Sequence, residues 1–182
     1  MLTWRAQDAM RMESTRVHLS GNRIKAYGRI VAGAHPKHPA FSASYDLVTD
    51  EAGATKRLSL SITLVERDRQ LSIARDEEDM WLVQDNRGQS RGGYDGAVDV
   101  DMVFSPFFNA LPIRRLGLHT KTESVTVPVV YVTLPDFAVN AATISYSSGP
   151  DGIKVSSPVA DTTMTVDADG FILDYPGLAE RI

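Results

Sequence analysis

The strongest regularity along the chain is an alternation of apolar and polar residues with a period of two. In Leu58-Ser59-Leu60-Ser61-Ile62-Thr63-Leu64 every second residue is apolar, and the Ser and Thr between them face solvent or a wet cavity. Phe41-Ser42-Ala43-Ser44-Tyr45-Asp46-Leu47 repeats the pattern. Residues 97–104 do so again, with Val98, Val100, Met102 and Phe104 on one side. Each run predicts a half-buried antiparallel strand. Residues 125–132 carry β-branched side chains on both faces, which predicts burial on both sides. Pro128 within them lacks an N–H and needs an edge, a bulge or a ladder position that does not donate. Shorter strands are predicted over 142–147, 152–156, 162–166 and 171–175.

Turn residues separate these runs. Asp151-Gly152 and Asp169-Gly170 are hairpin signatures. Pro36 and Pro39 make a loop of residues 34–39, because neither regular structure tolerates both. The first dozen residues fit a helix or a strand equally well. The best helical segment is 105–112: Ser105 suits the cap, Pro106 the first turn, and Pro112 limits the helix to about two turns. With ten or more strands spread evenly, the chain reads as one antiparallel β domain over residues 1–182, a sandwich or barrel with a few short helices.

Composition narrows the function. The 182 residues include 43% hydrophobic and 23% charged residues, as a folded globular domain requires. There is no Cys, which removes disulfides, thiolate nucleophiles and Cys-ligated metals. The formal net charge is -4, with no basic run, which argues against nucleic acid as a partner. The N-terminal residues lack the apolar core and cleavage site of a secretory signal, and no apolar stretch approaches the ~18 residues of a membrane span. The expected location is the cytoplasm.

Residues 95–116, DGAVDVDMVFSPFFNALPIRRL, concentrate the candidate chemistry. Asp99 and Asp101 alternate with Val98, Val100 and Met102, so both carboxylates lie on the face opposite the apolar set, roughly 6.6 Å apart. They form a solvated face, a polar patch beside a cavity, or half of a cation site. A metal is weakly supported, since the four His residues, 18, 35, 38 and 119, are scattered. If Arg114 and Arg115 lie in a strand, one faces inward, and an inward guanidinium needs an anion. Asp99 or Asp101 could supply it; so could a bound carboxylate, phosphate or sugar hydroxyl. Phe104, Phe107 and Phe108, with Trp81, Tyr94 and Tyr131, either line a lipid-sized cavity or fill the core. Catalysis finds little support. No Gly-x-Ser-x-Gly elbow and no phosphate loop occur, and neighbouring same-face aspartates rarely straddle a glycosidic bond.

The run Asp99-Val100-Asp101, Ser105-Pro106-Phe107, Asn109-Ala110-Leu111-Pro112-Ile113-Arg114-Arg115-Leu116 resembles the signature of the bacterial "putative glycolipid-binding" protein family. Trp4, Glu13, Gly28, Tyr45, Trp81, Tyr131 with Pro135, and the closing Asp174-Tyr175-Pro176-Gly177-Leu178 agree with it, so the resemblance spans nearly the whole chain. It implies a strongly curved antiparallel sheet, partly closed like a barrel and plugged by short helices, as in lipoprotein carriers. It also implies non-catalytic binding of an amphiphile, with a glycolipid as one candidate, and no cofactor. The expected ligand contacts are Asp99, Asp101, Asn109, Arg114 and Arg115 at the polar part, with Tyr45, Trp81 and Phe107 nearby. A purely architectural or protein-contacting role and a sugar-conjugate hydrolase are the alternatives.

Overall fold

Alternation along the chain becomes a meander in space. The computed structural model describes residues 1–182. Eight strands follow one another as hairpins: β1 Leu2–Ala6, β2 Arg11–Ser20, β3 Arg23–Ala32, β4 Phe41–Thr49, β5 Thr55–Thr63, β6 Asp68–Arg75, β7 Trp81–Asp85 and β8 Gly88–Gly92. A 3-10 turn, Tyr94–Gly96, leads to β9 Asp99–Met102 and the helix α1 Pro106–Leu116. A second meander then runs through β10 Ser124–Val132, β11 Val139–Gly149, β12 Gly152–Ser156, β13 Asp161–Val166, β14 Ile172–Tyr175 and β15 Ala179–Arg181.

The two meanders join where the first and last strands pair antiparallel, Trp4 opposite Arg181 and Ala6 opposite Ala179. The result is one 15-stranded sheet in the order β8-β7-β6-β5-β4-β3-β2-β1-β15-β14-β13-β12-β11-β10-β9. Only β9 breaks the antiparallel rule. It pairs parallel with β10, and α1 lies in the crossover that a parallel pair requires.

This corrects the expected architecture. The protein is mostly antiparallel β with one α-helix, but the sheet is neither closed into a barrel or sandwich nor strongly curled. Its end strands, β8 and β9, are both edges and do not pair with each other. A bond from the Thr55 N–H to the Val98 carbonyl (2.9 Å) and one from the Val100 N–H to Thr55 Oγ1 (3.4 Å) tie β9 to the start of β5, but no ladder follows. Closure needs a continuous stagger of paired strands, and two bonds do not supply it.

One face of β3–β7 supplies the main core. Leu58, Leu60 and Ile62 are buried while Ser59 and Ser61 are half-buried on the opposite face, as alternation predicts. Phe107, Phe108, Ala110 and Leu111 of α1 join that core; Ile113 joins a second cluster built from β10–β14. The helix therefore lies at the seam between two cores. β9 and the last four residues of β10 are buried on both faces, and Pro128 falls one residue before the stretch Val129–Val132 that pairs with β9.

The strand predicted over 97–104 shortens to Asp99–Met102, because the chain turns at Phe104, whose φ is 72°. The helix runs past Pro112 for 11 residues in all. Pro112 deprives the Phe108 carbonyl of its donor, but the last turn is held from outside. Ile113 is fully buried, and Gly117 (φ 69°) closes the helix in a left-handed cap, its N–H on the Arg114 carbonyl and that of Leu118 on the Ile113 carbonyl.

Candidate functional site

Where β2, β3 and β4 lie side by side, a buried polar cluster crosses the sheet. Thr15 on β2 pairs with Gly28 on β3, which pairs with Tyr45 on β4. Gly28 has no side chain, so the Tyr45 ring lies over it and reaches β2. There the Tyr45 hydroxyl donates to Glu13 Oε1 at 2.6 Å and sits 2.6 Å from Thr15 Oγ1. Because the tyrosine proton goes to Glu13, Thr15 is the donor in that second bond. Ser105 occupies the cap position of α1, yet its hydroxyl makes no cap bond; it donates to Glu13 Oε1 at 2.6 Å instead. Phe107 stacks between Tyr45 (5.9 Å) and Phe171 (6.3 Å). Burial raises the Glu13 pKa to about 7, against the bonds from Ser105 and Tyr45, the Phe107 amide and the Arg11 charge, which lower it.

The residues expected at the site fall into separate groups. Asp99, fully buried, pairs with Arg115 at 2.6 Å, with a second contact from Nε at 3.2 Å. Burial raises the Asp99 pKa and Arg115 opposes that rise. Asp101 points into the second core opposite Tyr131, its parallel register partner. Asp101 Oδ1 and the Tyr131 hydroxyl have no hydrogen-bond partner. Burial raises Asp101 to about 7; the Met102 amide lowers it and the Asp99 charge raises it further. Asn109 accepts a bond from the Tyr146 hydroxyl at 3.1 Å. Arg114 is not paired with Asp101: it donates to the Asp169 carbonyl and lies over the Phe171 ring at 4.8 Å. Trp81 is fully buried, its Nε1 donating to the Ala97 carbonyl at 2.8 Å. Thus the fold brings together Asp99 with Arg115, and Tyr45 with Phe107, but not all eight around one space.

Three hollows differ in size and lining. Arg114, Arg115 and His119 line one of about 140 Å³, below the few hundred Å³ a small-molecule site occupies. A broad trough of about 930 Å³ lies on the polar face of β2–β7, floored by Ser44, Ser59, Ser61 and Ser72, with Tyr45 on its border. The third, of about 450 Å³, is a cleft where the β1–β2 turn, the 33–40 loop, the β9–α1 link and the C-terminal turn meet. Val103, Phe104, Val159, Ala160 and Leu178 give it apolar walls, and Arg11, His35, Lys37 and His38 stand at its rim with Asp8. His38 packs against Phe104 at 5.4 Å between ring centres and stacks with His35 at 5.3 Å.

Sequence reasoning did not single out Arg11 and Glu13 as site residues. The signal was present: Arg11, Glu13 and Thr15 share one phase of β2, and all three are buried while Met12 is exposed. No three His, Asp or Glu side chains converge as ligands for a metal ion.

The chain thus combines an open, mostly antiparallel sheet with a buried polar cluster and a cleft that has apolar walls and a charged rim. The chain belongs to the family described as "Putative glycolipid-binding", whose model matches residues 1–181. That description is of binding, not of a reaction. The fold is similar to the crystal structure of a DUF1089 family protein from Pseudomonas aeruginosa, 23% identical, with a TM-score of 0.75 over 93% of this chain and 92% of that one. No curated protein matches the sequence. No helix is long and apolar enough to cross a membrane.

Proposed function

We propose that the protein binds an amphiphile, of the glycolipid kind its family description names, in the cleft beside Phe104 and Leu178, and performs no chemistry on it. The observation that carries this reading is the cleft itself. Its volume, about 450 Å³, lies within the ~300–1,000 Å³ of ligand sites. It joins apolar walls to a hydrogen-bonding rim, the pairing a molecule with a tail and a head requires. Phe104 is held in a left-handed backbone conformation that a bulky residue rarely adopts, and that conformation sets its ring against Arg11 and His38 in the wall. Asp99–Arg115 then serves to fasten α1 to β9, while Glu13, Tyr45 and Ser105 fix the start of the same helix beside the cleft.

Native mass spectrometry of protein purified without detergent tests the reading, together with titration of a fluorescent fatty-acid analogue. A bound amphiphile or saturable probe binding is expected. Ala160→Trp should weaken the probe by about tenfold or more, because the indole takes the space in which an acyl chain would bury its surface. Binding unchanged by Ala160→Trp would remove the cleft as the site, and no binding at all would remove the function.

A further inference from the structure

Arg11 is the most deeply placed cation of the protein that lacks an anion. Only 7% of its surface is exposed. One guanidinium nitrogen reaches the Leu178 carbonyl at a long 3.3 Å, and Cζ lies over the Phe104 ring, 4.4 Å from its centre. No carboxylate lies within 4.0 Å of it; the nearest charges, Asp8 and Glu13, act from further away, and Glu13 is engaged by Tyr45 and Ser105. Arg114 likewise has a backbone carbonyl and an aromatic ring but no carboxylate partner; three other arginines differ. Arg75, Arg115 and Arg181, with side chains 13%, 17% and 20% exposed, each hold a carboxylate at 2.6 or 2.7 Å.

A guanidinium removed from water without an anion costs free energy, and burial lowers the Arg11 pKa as that cost requires. Its planar fork matches the geometry of an oxyanion, and its contacts with Phe104 and the Leu178 carbonyl restrain it beside the cleft. They border the cleft, whose rim adds Lys37, His35 and His38 against a single acid, Asp8. We propose that the cleft selects amphiphiles whose head carries an oxyanion (phosphate, sulfate or carboxylate), with Arg11 as the residue that receives it. This deepens the amphiphile reading and rests on it.

The test compares two single-chain probes of equal acyl length, lysophosphatidic acid and the neutral monoacylglycerol, with inorganic phosphate alone as a third arm. The wild-type protein should bind the phosphate-headed probe at least tenfold more tightly, an advantage of the size charge-assisted bonds supply. Arg11→Met keeps the packing on Phe104 and should erase that preference, lowering the affinity for the phosphate-headed probe far more than that for monoacylglycerol, so that the variant binds the two heads alike. Arg11→Lys keeps the charge without the fork and should retain part of it. Inorganic phosphate at equal concentration should displace neither probe. Equal affinity of the wild type for the two heads, or equal weakening of both by Arg11→Met, overturns the inference and leaves the amphiphile reading standing. Failure of both probes to bind overturns both. Displacement by phosphate alone makes the cleft a free-anion site and overturns the link to a tail.

Discussion

Gly28→Ala should destabilise the protein by about 4 kcal/mol, the sum expected for overpacking a tight site and losing buried hydrogen bonds. A Cβ at position 28 would stand 2.1 Å from Tyr45 Cζ and 2.3 Å from its hydroxyl oxygen, well inside van der Waals contact. The Tyr45 ring cannot simply slide, because Phe107 and Phe108 hold it at 5.9 and 5.2 Å and its hydroxyl is tied to Glu13 and Thr15. Lifting it would leave Glu13 with one donor fewer in a site closed to water. The diagnostic measurement is a double-mutant cycle with Tyr45→Val, read by urea denaturation. Gly28→Ala should be far less harmful where the ring is already gone, so the two costs should not add. Equal costs in the two backgrounds would mean that the glycine is not there for the ring.

Stability should be greater at pH 5 than at pH 8. Glu13 and Asp101 both have folded pKa values of about 7, raised from 4.5 and 3.8. The folded protein therefore keeps protons that the unfolded chain has already released. Stability is full below the unfolded values and declines as pH rises from about 4 to about 7, by on the order of 3 kcal/mol from each group. Asp99, also raised, acts in the same sense. Asp167 acts oppositely: Arg181 holds it in the charged form at 2.6 Å and lowers its pKa, so its contribution is lost only in more acid solution. A stability maximum near pH 4 follows. Glu13→Gln and Asp101→Asn should each flatten the decline between pH 5 and 8, and the double variant should nearly abolish it. Urea midpoints that are the same at pH 5 and pH 8 for the wild type would show that these carboxyls titrate as they would in water.

These buried groups also show what was legible beforehand. Residues 41–47 and 58–64 announce their strands because one face meets a core and the other does not, and that demand is written residue by residue. Residues 125–132 announce a strand, but burial on both faces holds only for Val129–Val132; Thr126 is exposed and Val125 half-buried. Pairing is different in kind. Nothing within Leu2–Ala6 or Ala179–Arg181 specifies that these short strands meet, or that β9 adds parallel to β10; only the assembled molecule does. The sandwich or barrel was expected from the number and spacing of the strands, and the strong curvature from likeness to other proteins; the unpaired edges β8 and β9 overturn the closure. Pro112 reads as a stop because a missing donor is a local fact, whereas the burial of Ile113 that carries the helix onward is not.

At the candidate site the difficulty was charge. Arg11 and Glu13 alternate in the core phase of β2, but ionisable residues read as solvent-facing unless a partner is visible in sequence. The partners of Glu13, Tyr45 and Ser105, lie thirty-two and ninety-two residues away, and Arg11 has only a backbone carbonyl, that of Leu178. Asp99 and Asp101 share a face as their spacing requires, yet the second core covers that face. One aspartate there acquired an arginine from the helix and the other did not.

The junction of the two meanders has a kinetic consequence. Most rungs of this sheet join chain neighbours, and such hairpins close within microseconds. The rung between β1 and β15 joins the two extremes of the polypeptide, so it carries the greatest loop-closure entropy in the molecule. Each half-sheet can form from strands that neighbour one another in the chain before that rung closes. The middle of the finished sheet is thus the last part to zip.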